Sequence, residues 1–185
     1  MTGQTPEREA ICKLKNGDIS GLEVLVHRYQ LKAVRGADII TRDRALAEDI
    51  VQAAFIRAYE RIDQFDENLS FGPWFLRSVI NDAIKMVTRK RDLLFLESLP
   101  EIAFDEFWEN NEPNPEDHLE SQEIHKQVWE ALGRLPPKQR AVVVLRYYLE
   151  LNLEEIGQEM AAPQGTVKWR LHRARRRLKK ILGAD

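Results

Sequence analysis

Between Ala47 and Ile62 the apolar side chains recur at intervals of three and one: Ala47, Ile50, Val51, Ala54, Phe55, Ala58, Tyr59 and Ile62. A strand alternates its side chains by two and would scatter this set over both faces, whereas a helix gathers it into one stripe. A helix with so complete a stripe must dock it on other elements. Asp43 stands where an N-cap belongs. Upstream, Leu22, Leu25, Val26 and Tyr29 share a helix face. Downstream, the polar stretch from Asp63 to Ser70 predicts a turn, and a third helix opens at Gly72-Pro73, since proline is tolerated in the first turn. Leu76, Val79, Ile80, Ala83, Ile84 and Val87 form its stripe, and it ends in Arg89-Lys90-Arg91.

Charge divides the rest of the chain. The formal net charge is −2, but residues 1–95 carry 15 basic and 14 acidic side chains, residues 96–135 carry 2 and 11, and residues 136–185 carry 11 and 5. Local fields, not the total, steer association, so the segments are suited to different partners. The middle segment loses periodicity from Asp92 to about Glu116 and closes with Pro113-Asn114-Pro115. It reads as a linker, although Phe95, Leu96, Phe104, Phe107 and Trp108 are more apolar than linkers usually contain.

A second helical module starts near Pro115, behind Asn114 as a cap. Ile124, Val128, Ala131, Leu132 and Leu135 form its first stripe, which Pro136-Pro137 stops. Ala141, Val144, Leu145 and Tyr148 form the next. Asn152 with Glu155 resembles a capping box for a short helix ending near Met160. Ala161-Ala162-Pro163 is a turn, and Gln164-Gly165-Thr166-Val167 opens the last helix. Two helices joined so briefly predict a helix-turn-helix. In the last helix Val167, Leu171, Ala174, Leu178 and Ile181 form the docking stripe, and eight of residues 168–180 are Lys or Arg. Trp169 and His172 are expected to face outward beside Lys168 and Arg173. Such a surface attracts DNA, because each neutralised phosphate releases condensed counterions. A helix of this kind fits the major groove, where Arg and Lys pair with guanine edges. A solvated basic helix or a calmodulin-binding peptide is the competing reading, and the preceding helix and turn count against it.

Here the sequence resembles a known family. Leu135-Pro136, Arg140, Leu145-Arg146-Tyr147, Glu154-Glu155-Ile156-Gly157, Gly165-Thr166-Val167-Lys168 and Arg173-Ala174-Arg175 resemble region 4 of bacterial RNA polymerase sigma factors, most closely the extracytoplasmic-function group. The run from Ala47 to Tyr59 is similar to region 2.2, and Phe71 to Trp74 with Asn81 and Arg89-Lys90-Arg91 to regions 2.3 and 2.4. The resemblance implies an all-α protein: a region 2-like domain at 10–91, an acidic linker at 92–115 and a region 4-like helix-turn-helix domain at 116–182. It implies that Asp49, Gln52, Ala53, Ile56, Arg57 and Glu60 meet the β′ clamp of core polymerase, with the β flap a further partner. It assigns the minus-ten element, with a flipped base, to Phe65, Asn68, Ser70, Phe71, Trp74, Arg77, Asn81, Lys85 and Arg89. Phe71 and Trp74 are the stacking candidates, although burial in the core is the stronger expectation for Trp74 at least. Lys168, Trp169, His172 and Arg173 would read the minus-thirty-five element, while Arg140, Arg146 and Thr166 position phosphates. An anti-sigma protein is an implied partner. The chain departs from the family at Trp169, usually a small Ser; at Lys85, where a carboxylate is common; at Gly157, usually Ala; and at Phe75, usually Leu.

Enzyme signatures are not evident. His27, His118, His125 and His172 lack metal-ligand spacing, and there is no phosphate loop, nucleophile elbow or triad. Cys12 stands alone and reads as a helix residue. No cofactor is expected. With neither a long apolar run nor a secretory pattern at the N-terminus, the cytoplasm is the expected compartment. The sequence therefore predicts a sigma factor that recognises both promoter elements and promotes strand opening. A self-sufficient helix-turn-helix regulator, with a sensing or dimerising N-terminal half, is the alternative.

Overall fold

In the computed structural model, residues 6–94 and 115–183 are described, and among them the regular structure is helical. The first half comprises α1 (Pro6–Lys15), α2 (Ser20–Thr41), α3 (Arg44–Glu60), a short 3-10 turn (Ile62–Gln64) and α4 (Phe71–Leu94). The second comprises α5 (Pro115–Gly133), α6 (Pro137–Tyr147), α7 (Leu153–Glu159) and α8 (Gln164–Leu182). Residues 95–114, which hold most of the expected 92–115 linker and the Asn114 cap, lie outside the described residues, while residues 92–94 continue α4 and Pro115 begins α5.

α2 is the central element of the N-terminal lobe and packs on α1, α3 and α4. Most of the α3 stripe behaves as its spacing requires: Ala47, Ile50, Val51, Ala54, Phe55, Ala58 and Ile62 are buried, whereas Tyr59, at the edge of the stripe, is exposed. Asp43 has extended backbone and its carboxylate accepts from the Leu46 N–H at 3.0 Å, so the expected cap is present. α4 begins one residue earlier than the Gly-Pro pair suggests, at Phe71. The Phe71 N–H is satisfied from another helix, donating to Glu7 Oε1 of α1 at 3.0 Å. Glu7 also accepts the Tyr29 hydroxyl of α2. One carboxylate thus ties three helices, and it sits where a negative charge suits the positive end of α4. Glu7→Ala is expected to lower stability by about 1–2 kcal/mol, read as a fall in denaturant midpoint at unchanged m.

α1 lies so close to α2 that a Cβ on Gly21 would sit 2.2 Å from the Ala10 carbonyl oxygen, which only glycine permits. Around the start of α4 the core is aromatic. Phe71 and Phe75 stack with centroids 5.5 Å apart, Phe75 stacks on Phe55 at 4.2 Å, and Phe65 meets Phe71 edge-on at 5.7 Å. The Phe75 departure from the family pattern therefore sits at the centre of this stack.

In the C-terminal lobe Val142, Leu145, Ile156 and Val167 are fully buried where α6, α7 and α8 meet. The α5 stripe is only half used. Ala131 and Leu135 are buried, but Ile124 is 53% and Val128 40% exposed. The reason is that α5 is held at its C-terminal end. There Trp129 O accepts from Arg42 Nη1 at 3.0 Å, and the Arg42 guanidinium lies 4.4 Å from the Trp129 ring centroid.

Buried apolar residues of both lobes, Ala131 excepted, form one continuous cluster, with α2 and α4 packed on α6. Tyr148 donates its hydroxyl to Lys32 O of α2, and its ring occupies the space that a Cβ on Gly36 would need, 2.8 Å from Cε1. Burial, the larger cause, pushes the Tyr148 phenol up to about 12, and burial followed by the Glu7 contact does the same for Tyr29. Both phenols keep their protons more firmly folded than unfolded, where the value is about 10. Their contribution is therefore complete below about pH 10 and is lost as pH rises towards 12. Denaturant midpoints measured from pH 9 to 12 should fall, and Tyr29→Phe with Tyr148→Phe should flatten that fall.

Candidate nucleic-acid and polymerase interfaces

The helix-turn-helix is built from local rules. Asn152 accepts from the Glu154 and Glu155 N–H groups at 2.9 and 3.0 Å, while Glu155 Oε2 accepts from the Asn152 N–H at 2.8 Å, completing the capping box. α7 stops at Glu159, and Ala161 turns the chain with a positive φ of 44°. α8 then docks through Val167, Leu171 and Ala174, all buried. Lys168, Trp169, His172 and Arg173 are exposed on one side of it. Trp169 is 56% exposed, and the Arg173 guanidinium lies 5.5 Å from its ring centroid. The helical period puts Arg176, Lys179 and Lys180 on the same side, and all three are exposed. Sequence reasoning counted these cations but left them off the site, although their spacing from Lys168 and Arg173 was readable. Thr166 is half-buried in the first turn of α8.

Two expected phosphate-positioning residues are engaged within the fold. Arg140 is 5% exposed and donates to Ile40 O at 3.0 Å and Gly133 O at 3.3 Å. Burial, with Arg42 nearby, lowers its guanidinium to about 10, which leaves it charged at neutral pH. It clamps the two lobes and cannot also face a phosphate in this conformation. Arg146 donates to Leu151 O at 2.8 Å, bracing the α6–α7 connection.

On α3, Asp49, Gln52, Ile56 and Glu60 are exposed and Ala53 and Arg57 partly so, forming an outer face opposite the buried stripe. Ile56 is 57% exposed, an apolar centre among polar neighbours. Arg57 pairs with Asp82 of α4, and Asp82 is itself 4.0 Å from Lys85 Nζ.

The proposed minus-ten residues separate into two groups. Phe65 is 5% exposed and Phe71 wholly buried, so their rings complete the core and do not offer a face to a base. Trp74, the expected core residue, is the more exposed of the stacking pair, with its ring 5.5 Å from that of Phe71 and 5.1 Å from that of Phe65. Asn68, Ser70, Lys85 and Arg89 are exposed. Arg77 and Asn81, one turn apart on α4, are partly covered by α7: Arg77 Nη2 lies 3.3 Å from Glu155 Oε1, Arg77 Nε 3.0 Å from Glu159 Oε1, and Asn81 Nδ2 donates to Glu159. Sequence reasoning did not find Glu155 and Glu159 as partners of α4, because nothing in local periodicity reports contacts 78 positions apart.

Comparison with known proteins agrees with this architecture. Residues 25–92 match the family described as Sigma-70 region 2, and residues 131–180 match Sigma-70, region 4. The chain is 35% identical to the ECF RNA polymerase sigma factor SigW of Bacillus subtilis (strain 168), covering 95% of this chain and 96% of that protein. It is 30% identical to the ECF RNA polymerase sigma-E factor of Escherichia coli (strain K12), covering 95% and 93%. Two solved structures share the fold. CnrH, solved with the cytosolic domain of CnrY, has a TM-score of 0.59 at 22% identity over 98% of this chain and 99% of that one. RpoE of Bartonella quintana, solved with the anti-sigma factor NepR, has a TM-score of 0.59 at 21% identity over 83% and 91%. With both regions matched in order and relatives aligned over nearly their whole length, the chain belongs to the extracytoplasmic-function group of the sigma-70 family, RNA polymerase sigma factors that act with the core enzyme in promoter recognition and transcription initiation.

Proposed function

We propose a division of work between the lobes, within domains spanning 10–91 and 116–182 and a linker at 92–115. The α3 face of Asp49, Gln52, Ala53, Ile56, Arg57 and Glu60 docks on the β′ clamp, and the C-terminal lobe engages the β flap. Asn68, Ser70, Trp74, Arg77, Asn81, Lys85 and Arg89 hold the displaced strand of the minus-ten element. Phe65 and Phe71 support that surface from beneath. Opening duplex DNA costs a few kcal/mol per base step, which stacking and phosphate contacts must offset. Lys168, Trp169, His172 and Arg173 read the minus-thirty-five element, Thr166 meets a phosphate, and Arg176, Lys179 and Lys180 extend the phosphate track. Trp169, with Arg173 over its ring, brings an apolar edge suited to a thymine methyl.

The observation that carries this reading is the exposed cationic face of α8 behind a properly capped α7, in one chain with the mixed outer face of α3. The protein works without covalent chemistry, as a dissociable subunit in the cytoplasm. Among the described residues no helix is long and apolar enough to cross a membrane. An anti-sigma protein is a further partner, as CnrH and RpoE were each solved with a protein bound.

The test uses reconstituted holoenzyme and a selected promoter. Lys168→Ala with Arg173→Ala should weaken promoter retention about ten- to a hundredfold and shallow its salt dependence, while leaving core binding unchanged. Retention equal to that of the unsubstituted protein would overturn the α8 assignment.

A further inference from the structure

The loop that leads into α4 is held at both ends by α1. At its exit, Glu7 Oε1 accepts from the Phe71 N–H at 3.0 Å. At its entrance, Lys15 Nζ donates to Phe65 O at 3.0 Å and lies 2.8 Å from Glu67 Oε1. Between these anchors the chain is shaped by its own groups. Asp66 Oδ1 accepts from the Asn68 N–H at 2.9 Å and from the Asn68 side-chain amide at 2.8 Å. The Leu69 N–H donates to Asp66 O at 3.0 Å. Asn68 and Ser70 are exposed on this loop. We propose that Lys15 is a positioning residue for the minus-ten loop: by fixing Phe65 O and Glu67 it sets the geometry in which Asn68 and Ser70 meet the displaced strand. This inference rests on the reading of Asn68 and Ser70 as strand contacts.

The core alone cannot set that geometry. The Phe65 ring is buried against Phe71 and Trp74, but residues 66–70 are all exposed. Phe65 also has extended backbone, with φ −72° and ψ 126°, so its carbonyl has left the hydrogen-bond pattern of the 3-10 turn and takes its donor from α1. Phe65 is thus fixed twice, through its ring and through its carbonyl. Lys15 carries the restraint on to Glu67, the residue before Asn68. A loop has no helical or sheet ladder of its own, so its contacts keep a set geometry only where a supporting side chain is supplied. An ion pair whose carboxylate is 60% exposed adds little to folding stability. Its effect falls instead on binding, because a loosened loop must be ordered when the strand is captured. A loop that holds the competent arrangement only part of the time lowers apparent affinity by that fraction.

The test uses the full chain in reconstituted holoenzyme, on a promoter selected with it from random templates. Fluorescence of 2-aminopurine in the minus-ten element reads strand opening. Lys15→Met should lower the opening equilibrium about tenfold and narrow the preference for the selected minus-ten sequence over its single-base variants. Core affinity and denaturant midpoint should not change. Lys15→Arg, which can reach both oxygens, should restore opening. Lys13→Met removes the same charge from an exposed position of the same helix and should leave opening as it is. Glu67→Gln separates placement from attraction. Removing an acid beside DNA favours binding by charge alone, whereas loss of the Lys15 partner should lower opening, by about threefold. Opening raised by Glu67→Gln, or lowered equally by Lys15→Met and Lys13→Met, would reveal a simple charge effect and overturn the proposal. Undiminished opening with Lys15→Met overturns it as well. If Asn68→Ala with Ser70→Ala still lowers opening in that case, the strand-contact reading survives without it. If that pair has no effect, the strand-contact reading fails and takes the positioning role with it.

Discussion

Phe71→Ala should lower the stability of the chain by about 3–5 kcal/mol, the usual cost of emptying a phenylalanine site in a packed core. The ring is wholly buried and lies within 6 Å, centroid to centroid, of Tyr29, Phe65, Trp74 and Phe75. Its loss cannot be repaired by a small shift, because these partners come from α2, the loop before α4 and α4 itself. Phe71 is also the residue whose N–H Glu7 caps, so relaxation of the ring site disturbs the junction with α1. Chemical denaturation followed by far-ultraviolet circular dichroism reads the effect. A loss under about 1 kcal/mol would mean that the ring is not the keystone of this lobe. Since domain stabilities are typically about 5–15 kcal/mol, the expected loss would leave the lobe marginal at physiological temperature.

Ile56→Asp should leave the fold intact and weaken association with core polymerase by about 30-fold or more. Ile56 is 57% exposed, so the substitution empties no cavity and should change stability by only about 0.5 kcal/mol. An apolar side chain at the centre of a polar face is the usual anchor of a protein interface, and truncating such an anchor costs about 2 kcal/mol or more. A buried carboxylate without a partner adds to that loss. Titration of labelled core enzyme with the variant measures it directly, and undiminished affinity would remove the α3 face from the assignment.

The helices of this protein were legible in the sequence wherever a stripe was complete. The α3 repeat, the Asp43 cap and the Asn152–Glu155 capping box all follow from spacing, because each concerns groups within one or two turns of each other. α1 was foreshadowed only by the reading of Cys12 as a helix residue, although Pro6 in its first turn, Glu7 and Glu9 near its start and Lys13 and Lys15 near its end are ordinary helix signals. Its packing against α2 was beyond reach, since it depends on Gly21 admitting the Ala10 carbonyl. The exposed set on α8 was legible because basic residues and the docking stripe alternate on a single helix. The burial of Arg140 was not legible for the opposite reason. A charged side chain in a DNA-binding lobe is normally exposed, and only the opposing lobe, with Ile40 O waiting as acceptor, makes burial affordable. Phe65 and Phe71 misled in the same way, as aromatic residues in a loop fit stacking on a base and stacking on each other equally well until the neighbours are known. Contacts between lobes leave no periodic trace, so Glu155 and Glu159 read only as helix-start and surface acids.

Run-off transcription with purified core polymerase on a library of randomised promoter templates tests the central claim most directly. Adding the protein should produce discrete new start sites whose upstream sequences share two conserved elements about one to two helical turns of DNA apart, and adding the Ile56→Asp variant should not. Start sites identical with and without the protein would contradict the account.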